Sequence, residues 1–190
     1  MAYTAFDRFV AWLRFRAALP HIHNGARVCD VGCGLDARFL QWLGSRLRLG
    51  VGIDSQWSPS PRGVSIIRAD ITKGLPVRGA QFDHVVMLAV LEHLAEPGEV
   101  LREAHRILVP GGSLIMTWPH PIVDVILDPL HRIGVVSGDM ESEKHEDRIP
   151  LPRLQDMLKD IGFERFVHRQ FEFGLNNLMV AVKSQREHVG

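Results

Sequence analysis

VCDVGCGLDARFL, residues 28 to 40, carries an apolar run through an aspartate into two glycines that flank a cysteine. The run RVCDVG (27–32) has the length and composition of a short buried strand. Gly32 and Gly34 let the chain turn tightly and let a ligand approach the main chain. Beyond them, Phe39, Leu40, Leu43 and Leu47 share one face of a helix predicted over 36–47. A strand that turns on glycines into a helix presents unpaired N–H groups, which favour anionic or polar ligand groups.

Outward from this unit the same rhythm continues. Further strands are predicted at LGVGID (49–54), VSIIRAD (64–70), FDHVVMLAV (82–90) and SLIMTW (113–118), with a helix over 99–108 stopped by PGG. SQWSPSPRG (55–63) reads as a loop and 71–81 as irregular chain. Strands alternating with helices argue parallel βαβ units, hence a three-layer α/β/α domain around a buried sheet. Before this core, Phe6, Phe9, Val10, Leu13 and Ala17 set a helix over 4–19 that Pro20 closes, and 23–26 is a turn. After Trp118 the pattern breaks: 119–150 shows no clear strand, 151–162 is helical, and 163–173 and 175–183 are two antiparallel closing strands. The tail 184–190 reads as frayed. One domain spanning 1–190 is expected, with 1–22 as its N-terminal helix segment.

Composition bounds the partners. Twenty-two Lys and Arg cancel 22 Asp and Glu, so no basic excess points to nucleic acid. Cys29 and Cys33 form neither a disulfide framework nor a zinc pair, and a reducing, cytoplasmic setting is the default. Asp7, Arg8, Arg14 and Arg16 interrupt any N-terminal leader. No apolar run approaches the ~20 residues of a spanning helix.

Three acids lie at carboxyl ends of predicted parallel strands, where open α/β sheets bind ligands: Asp30, Asp54 and Asp70. Asp54 follows Gly34 by 20 residues, the offset of a carboxylate that accepts from ribose hydroxyls. A nicotinamide dinucleotide would need its pyrophosphate held by this loop, where Ala37 tolerably replaces the last glycine. Asp30 and Asp36 bracket the loop with negative charge, which opposes a pyrophosphate and suits a ligand with an ammonium and a sulfonium. S-adenosylmethionine carries both, with a ribose and an adenine.

In order and spacing, CDVGCG (29–34), VGID (51–54), RAD (68–70), FDHVVMLAVLEHL (82–94) and REAHRILVPGGSLIMT (102–117) resemble the motifs of class I S-adenosylmethionine-dependent methyltransferases, in the type 11 or ubiquinone-biosynthesis-like small-molecule branch. The likeness covers residues ~26–118, and FGLNN (173–177) fits the family's antiparallel seventh strand. It implies a Rossmann-like sheet of about seven strands, mostly parallel with an antiparallel last strand. Asp36 stands where the family usually has a third glycine. The resemblance places Asp30, Gly32, Cys33 and Gly34 around the methionine end, Asp54 and Ser55 at the ribose, Asp70 and Ile71 at the adenine, and Leu88 beside the sulfonium ribose. Each acid has a plainer reading as a helix cap or turn aspartate, and Cys33 as a loop filler.

Transfer from a sulfonium is an in-line displacement that needs a base only if the acceptor must lose a proton. Glu92 and His93 follow strand four and are the candidate catalytic pair, with a structural role as the alternative. No metal ligand set accompanies them. Residues 119–150, apolar first and charged later, read either as a substrate-covering insertion or as a packed helix and solvated loop; His120, His131 and His145 belong to it. Trp12, Arg14 and Phe15 could reach the acceptor from the first helix. The acceptor is a small molecule or a lipid or sugar intermediate. Oxygen or carbon is favoured over nitrogen, because Met87-Leu88-Ala89-Val90 stands where amino-methylating enzymes place Asn-Pro-Pro-Tyr. Two other classes stay open: a cofactor-binding partner domain without turnover, and a nicotinamide oxidoreductase. The second is disfavoured because Tyr3 is the only tyrosine.

Overall fold

A computed structural model of the chain describes residues 5–56, 64–120 and 149–185. Seven strands form one sheet in the order β3-β2-β1-β4-β5-β7-β6. They are β1 (Ala26–Val31), β2 (Leu47–Asp54), β3 (Ser65–Arg68), β4 (Phe82–Leu88), β5 (Leu108–Pro119), β6 (Phe163–Phe171) and β7 (Asn176–Lys183). β1 pairs parallel with β2 and β4, β2 with β3, and β4 with β5. β7 alone runs against the others, antiparallel to both β5 and β6. The expected mixed sheet with its reversed last strand is therefore present.

Among the described residues, four α-helices cover the sheet: α1 (Ala5–Ala18), α2 (Arg38–Leu43), α3 (Pro97–Ile107) and α4 (Leu151–Ile161). Strand alternation sorts the core into two layers. Leu114 and Met116 of β5 pack with Val100, Leu101 and Ala104 of α3 and with Leu154 and Leu158 of α4. Ile115 packs with Ala18 of α1 and with Phe39, Leu40 and Leu43 of α2. Chain order reverses between β1 and β4, which opens a crevice at their carboxyl ends, the usual ligand position of such sheets. At the opposite end, Arg27 Nη2 meets Asp83 Oδ1 at 2.7 Å and ties the start of β1 to that of β4.

Several boundaries differ from the pattern-based expectation. The helix predicted to residue 47 ends at Leu43, because Gly44 takes φ 51 and its N–H bonds back to Leu40 O. Leu47, apolar at helical spacing, instead opens β2. β4 stops at Leu88, not residue 90: Ala89 turns at φ 58 and donates to Thr117 O at 2.9 Å. β5 begins at Leu108 instead of 113, crossing Pro110-Gly111-Gly112 through a register shift against β4. β3 ends at Arg68, two residues before Asp70. The loop residues 57–63, the insertion residues 121–148 and the tail residues 186–190 lie outside the described residues. Among the described residues, no helix is long and apolar enough to cross a membrane.

Candidate functional site

The glycine turn after β1 is braced against the end of β2. Gly32 N–H and Cys33 N–H both donate to Ile53 O, at 2.8 and 3.3 Å. Gly34 N–H donates to Asp54 Oδ2 at 2.8 Å, and Gln56 N–H to Asp54 Oδ1 at 2.9 Å. Each carboxylate oxygen of Asp54 keeps further acceptor capacity, so the residue can brace the turn and still receive hydroxyl donors. Cys33 packs over β2, where a Cβ on Gly52 would lie 2.6 Å from its sulfur. Burial first, then Asp30 and Asp54, push its thiol up, so it fills space and is no nucleophile at neutral pH.

Gly32 is required twice over. Its φ is +74°, and a Cβ there would sit 2.5 Å from Val90 Cγ2. Gly32→Ala is expected to destabilise the fold by about 2 kcal/mol or more, read from urea unfolding. Val90→Ala in the same chain should recover the steric part and leave the backbone part.

Asp30, only 3% exposed, stands beside this turn. Burial and then the charge of Asp54 push its carboxyl up to about 7. Such a carboxylate is stabilised by a cationic ligand group. Asp70 lies two residues past β3. It caps the short 3-10 turn Ile71–Lys73, accepting from Thr72 N at 3.1 Å and Thr72 Oγ1 at 2.7 Å, and these bonds hold its carboxyl below the usual range. Ser55 is exposed beside Asp54, and its carbonyl accepts from Arg68 Nε at 3.2 Å. Leu88, half-buried, closes β4.

After β4, Glu92 and His93 lie in a 3-10 turn over Leu91–His93, Glu92 half-buried and His93 exposed. From α1, Arg14 reaches the same region and feels Glu92 and Glu172; burial pulls its pKa down against both. Its Nε donates to Asn176 Oδ1 at 3.4 Å, and Asn176 Nδ2 donates to Glu172 Oε2. Of the three α1 candidates, Arg14 alone joins this cluster. Phe15 packs on Phe39 and Trp42, with ring centroids at 5.1 and 5.8 Å, and Trp12 lies under Arg16 at 4.9 Å. Glu172 and Asn176 carry little signal in the sequence beyond an acid inside Phe171-Glu172-Phe173. Beside Glu172, a 480 Å³ groove opens between α1 and the β6–β7 hairpin, lined by Val10, Leu13, Phe171 and Leu175 among others. His120 N–H donates to Leu175 O at 2.7 Å, while His131 and His145 lie outside the described residues. No group of His, Cys, Asp and Glu among the described residues is arranged to hold a metal.

The comparisons bear on this geometry. A methyltransferase-domain family model matches residues 29–116, from the glycine turn to β5. A ubiquinone biosynthesis O-methyltransferase of Pseudomonas aeruginosa is 31% identical over 57% of this chain and 49% of its own length. A ubiquinone/menaquinone biosynthesis C-methyltransferase of the same species is 26% identical over 90% of this chain and 78% of its own. The chain spans about half the length of the first curated relatives it matches. A solved S-adenosylmethionine-dependent methyltransferase from Thermotoga maritima superposes with a TM-score of 0.68 over 93% of this chain and 90% of its own, at 20% identity. That likeness establishes the fold alone.

Proposed function

We propose that this chain, whose residues 29–116 match a methyltransferase-domain model, belongs to the small-molecule branch of class I S-adenosylmethionine-dependent methyltransferases and transfers a methyl group from S-adenosylmethionine to a small-molecule acceptor, at oxygen or carbon. The observation that carries this reading is the pair of acids at the glycine turn. Asp30 is buried with a raised pKa, and Asp54 braces Gly34 with acceptor capacity to spare. This donor set fits the family's cofactor. Asp30 would hold its ammonium, Asp54 with Ser55 its ribose hydroxyls, Gly32, Cys33 and Gly34 its methionine backbone, Leu88 the sulfonium side, and Ile71 with Asp70 the adenine edge. The bound sulfonium supplies a good leaving group, so the chain's task is alignment, which can supply ~7–11 kcal/mol of the barrier. The relatives' printed names, an O- and a C-methyltransferase of quinone biosynthesis, support oxygen or carbon. We extend the reading to one domain over 1–190 and a cytoplasmic setting; Cys29 and Cys33, both free, support the setting.

Calorimetric titration with S-adenosylmethionine, S-adenosylhomocysteine and NAD tests the cofactor. Binding of the two sulfur nucleosides and none of NAD is expected, because the acidic turn repels a pyrophosphate. NAD binding alone would reinstate the oxidoreductase. Glu92 and His93 shape the acceptor side. His93 is exposed, so His93→Ala should retain turnover within about tenfold, below the ~10²–10⁴ that a general base contributes. A larger loss would make it the base.

A further inference from the structure

Resting on the transfer reading above, we infer that Arg14 and Glu172 form the head-group subsite of the acceptor. The acceptor presents a hydroxyl there: the Arg14 guanidinium holds its oxygen and Glu172 Oε1 receives its proton.

Complementary gaps in the hydrogen bonding carry this assignment. Arg14 has five N–H donors, and among the described residues only Nε is used, at 3.4 Å. Glu172 Oε1 is buried and accepts no hydrogen bond there, while Oε2 is taken by Asn176. Unmatched donors thus stand near an unmatched acceptor, both reaching the same Asn176. A hydroxyl accepts through its lone pairs and donates through its proton, so one group satisfies both sides. A lone carboxylate or ammonium would satisfy one and oppose the other.

Position agrees with chemistry. Asn176 pairs with Pro119 at the carboxyl end of β5, and Glu92 at the exit of β4 lies within electrostatic reach of Arg14. The subsite therefore borders the crevice in which the methyl donor is proposed to lie. Glu172 and Phe173 both adopt left-handed backbone, at φ 53 and 56, before Gly174 at φ 86. Two consecutive strained residues turn Glu172 inward and leave Phe173 fully exposed. Burial, ahead of the opposing charge of Arg14, raises the Glu172 pKa, which suits a proton acceptor. The apolar groove beside it receives the body of the acceptor.

In the transfer, the acceptor O–H bond breaks and its proton passes to Glu172 Oε1. The oxygen's electron pair forms the bond to the methyl carbon, and the electrons of the C–S bond leave with the sulfur. Glu172 returns the proton to water as the product departs.

4-Nitrophenol is a suitable probe, titrated against the free and the S-adenosylhomocysteine-loaded protein on both sides of its own ionisation. The bound anion would face Glu172 and Glu92 against Arg14, with Arg16 and Arg169 on the groove wall. Only the protonated probe can donate to Glu172 Oε1, whereas the anion meets that carboxylate with no proton between them, so the wild type should prefer the protonated probe. Glu172→Gln should weaken the protonated form by about tenfold or more and reverse the pH preference. Arg14→Met should weaken both forms by about tenfold or more, and Arg14→Lys should recover part of the loss. Absence of probe binding, or Glu172→Gln leaving both affinity and pH preference unchanged, would mean that water fills these gaps and would overturn the subsite. Loss of S-adenosylhomocysteine binding in the wild type would instead overturn the transfer reading, and titration of the free protein would still decide the subsite.

Discussion

Asp54→Ala should abolish nucleoside binding. Its two oxygens each take a backbone N–H, from Gly34 at 2.8 Å and Gln56 at 2.9 Å, and each has capacity for one ribose hydroxyl. A hydrogen bond to a charged group contributes about 1.5–3 kcal/mol, so losing two costs about 3 kcal/mol or more, over hundredfold in affinity. Loosening of the Gly34 turn adds to that loss. Titration of S-adenosylhomocysteine into the variant checks the claim, with Asp54→Asn as the companion. Asparagine keeps one oxygen, which can serve either the turn or the ligand, so an intermediate affinity is expected. Wild-type affinity in Asp54→Ala would remove the ribose role and leave the residue as a turn brace.

The parts of the site that sequence discloses are those fixed by local chain geometry. Gly32, Gly34 and Asp54 are legible because a strand–turn–helix unit and the following strand set their separation, and the structure joins them by one hydrogen bond. Asp70 shows the limit of that logic. Its place after β3 is legible, but Thr72 and Lys73 decide what its carboxylate touches. Arg14, Glu172 and Asn176 were legible only in part. Arg14 is one of several residues on an amphipathic helix, and its partner Asn176 is 162 positions away. The meeting depends on the register of β5 with β7 and on two left-handed residues at the hairpin, neither of which has a periodic signature. The overlong second helix fails for a related reason. Leu47 satisfies helical periodicity, but Gly44, three residues earlier, has already ended the helix.

Asp30→Asn should move stability and binding in opposite directions. The folded carboxyl titrates at about 7, against ~3.9 in an unfolded chain. Between those values the native state binds more protons than the unfolded state, so stability falls as pH rises through the window, by about 4 kcal/mol at most. Asparagine does not titrate. The variant should therefore match the wild type below about pH 4, exceed it increasingly as pH rises toward 7, and exceed it most near pH 8, as thermal unfolding at several pH values would show. Binding should respond the other way. A cationic ammonium beside Asp30 favours its ionised form, so wild-type affinity for S-adenosylmethionine should rise as pH increases toward 7, with a proton released on binding. The variant should lose that pH dependence and bind more weakly by about tenfold or more at pH 8. A cavity-filling role for Asp30 predicts the stability change but neither the loss of affinity nor the loss of its pH dependence. The apoprotein is thus less stable at neutral pH for holding a buried carboxylate, and the same carboxylate is what a cationic cofactor would neutralise.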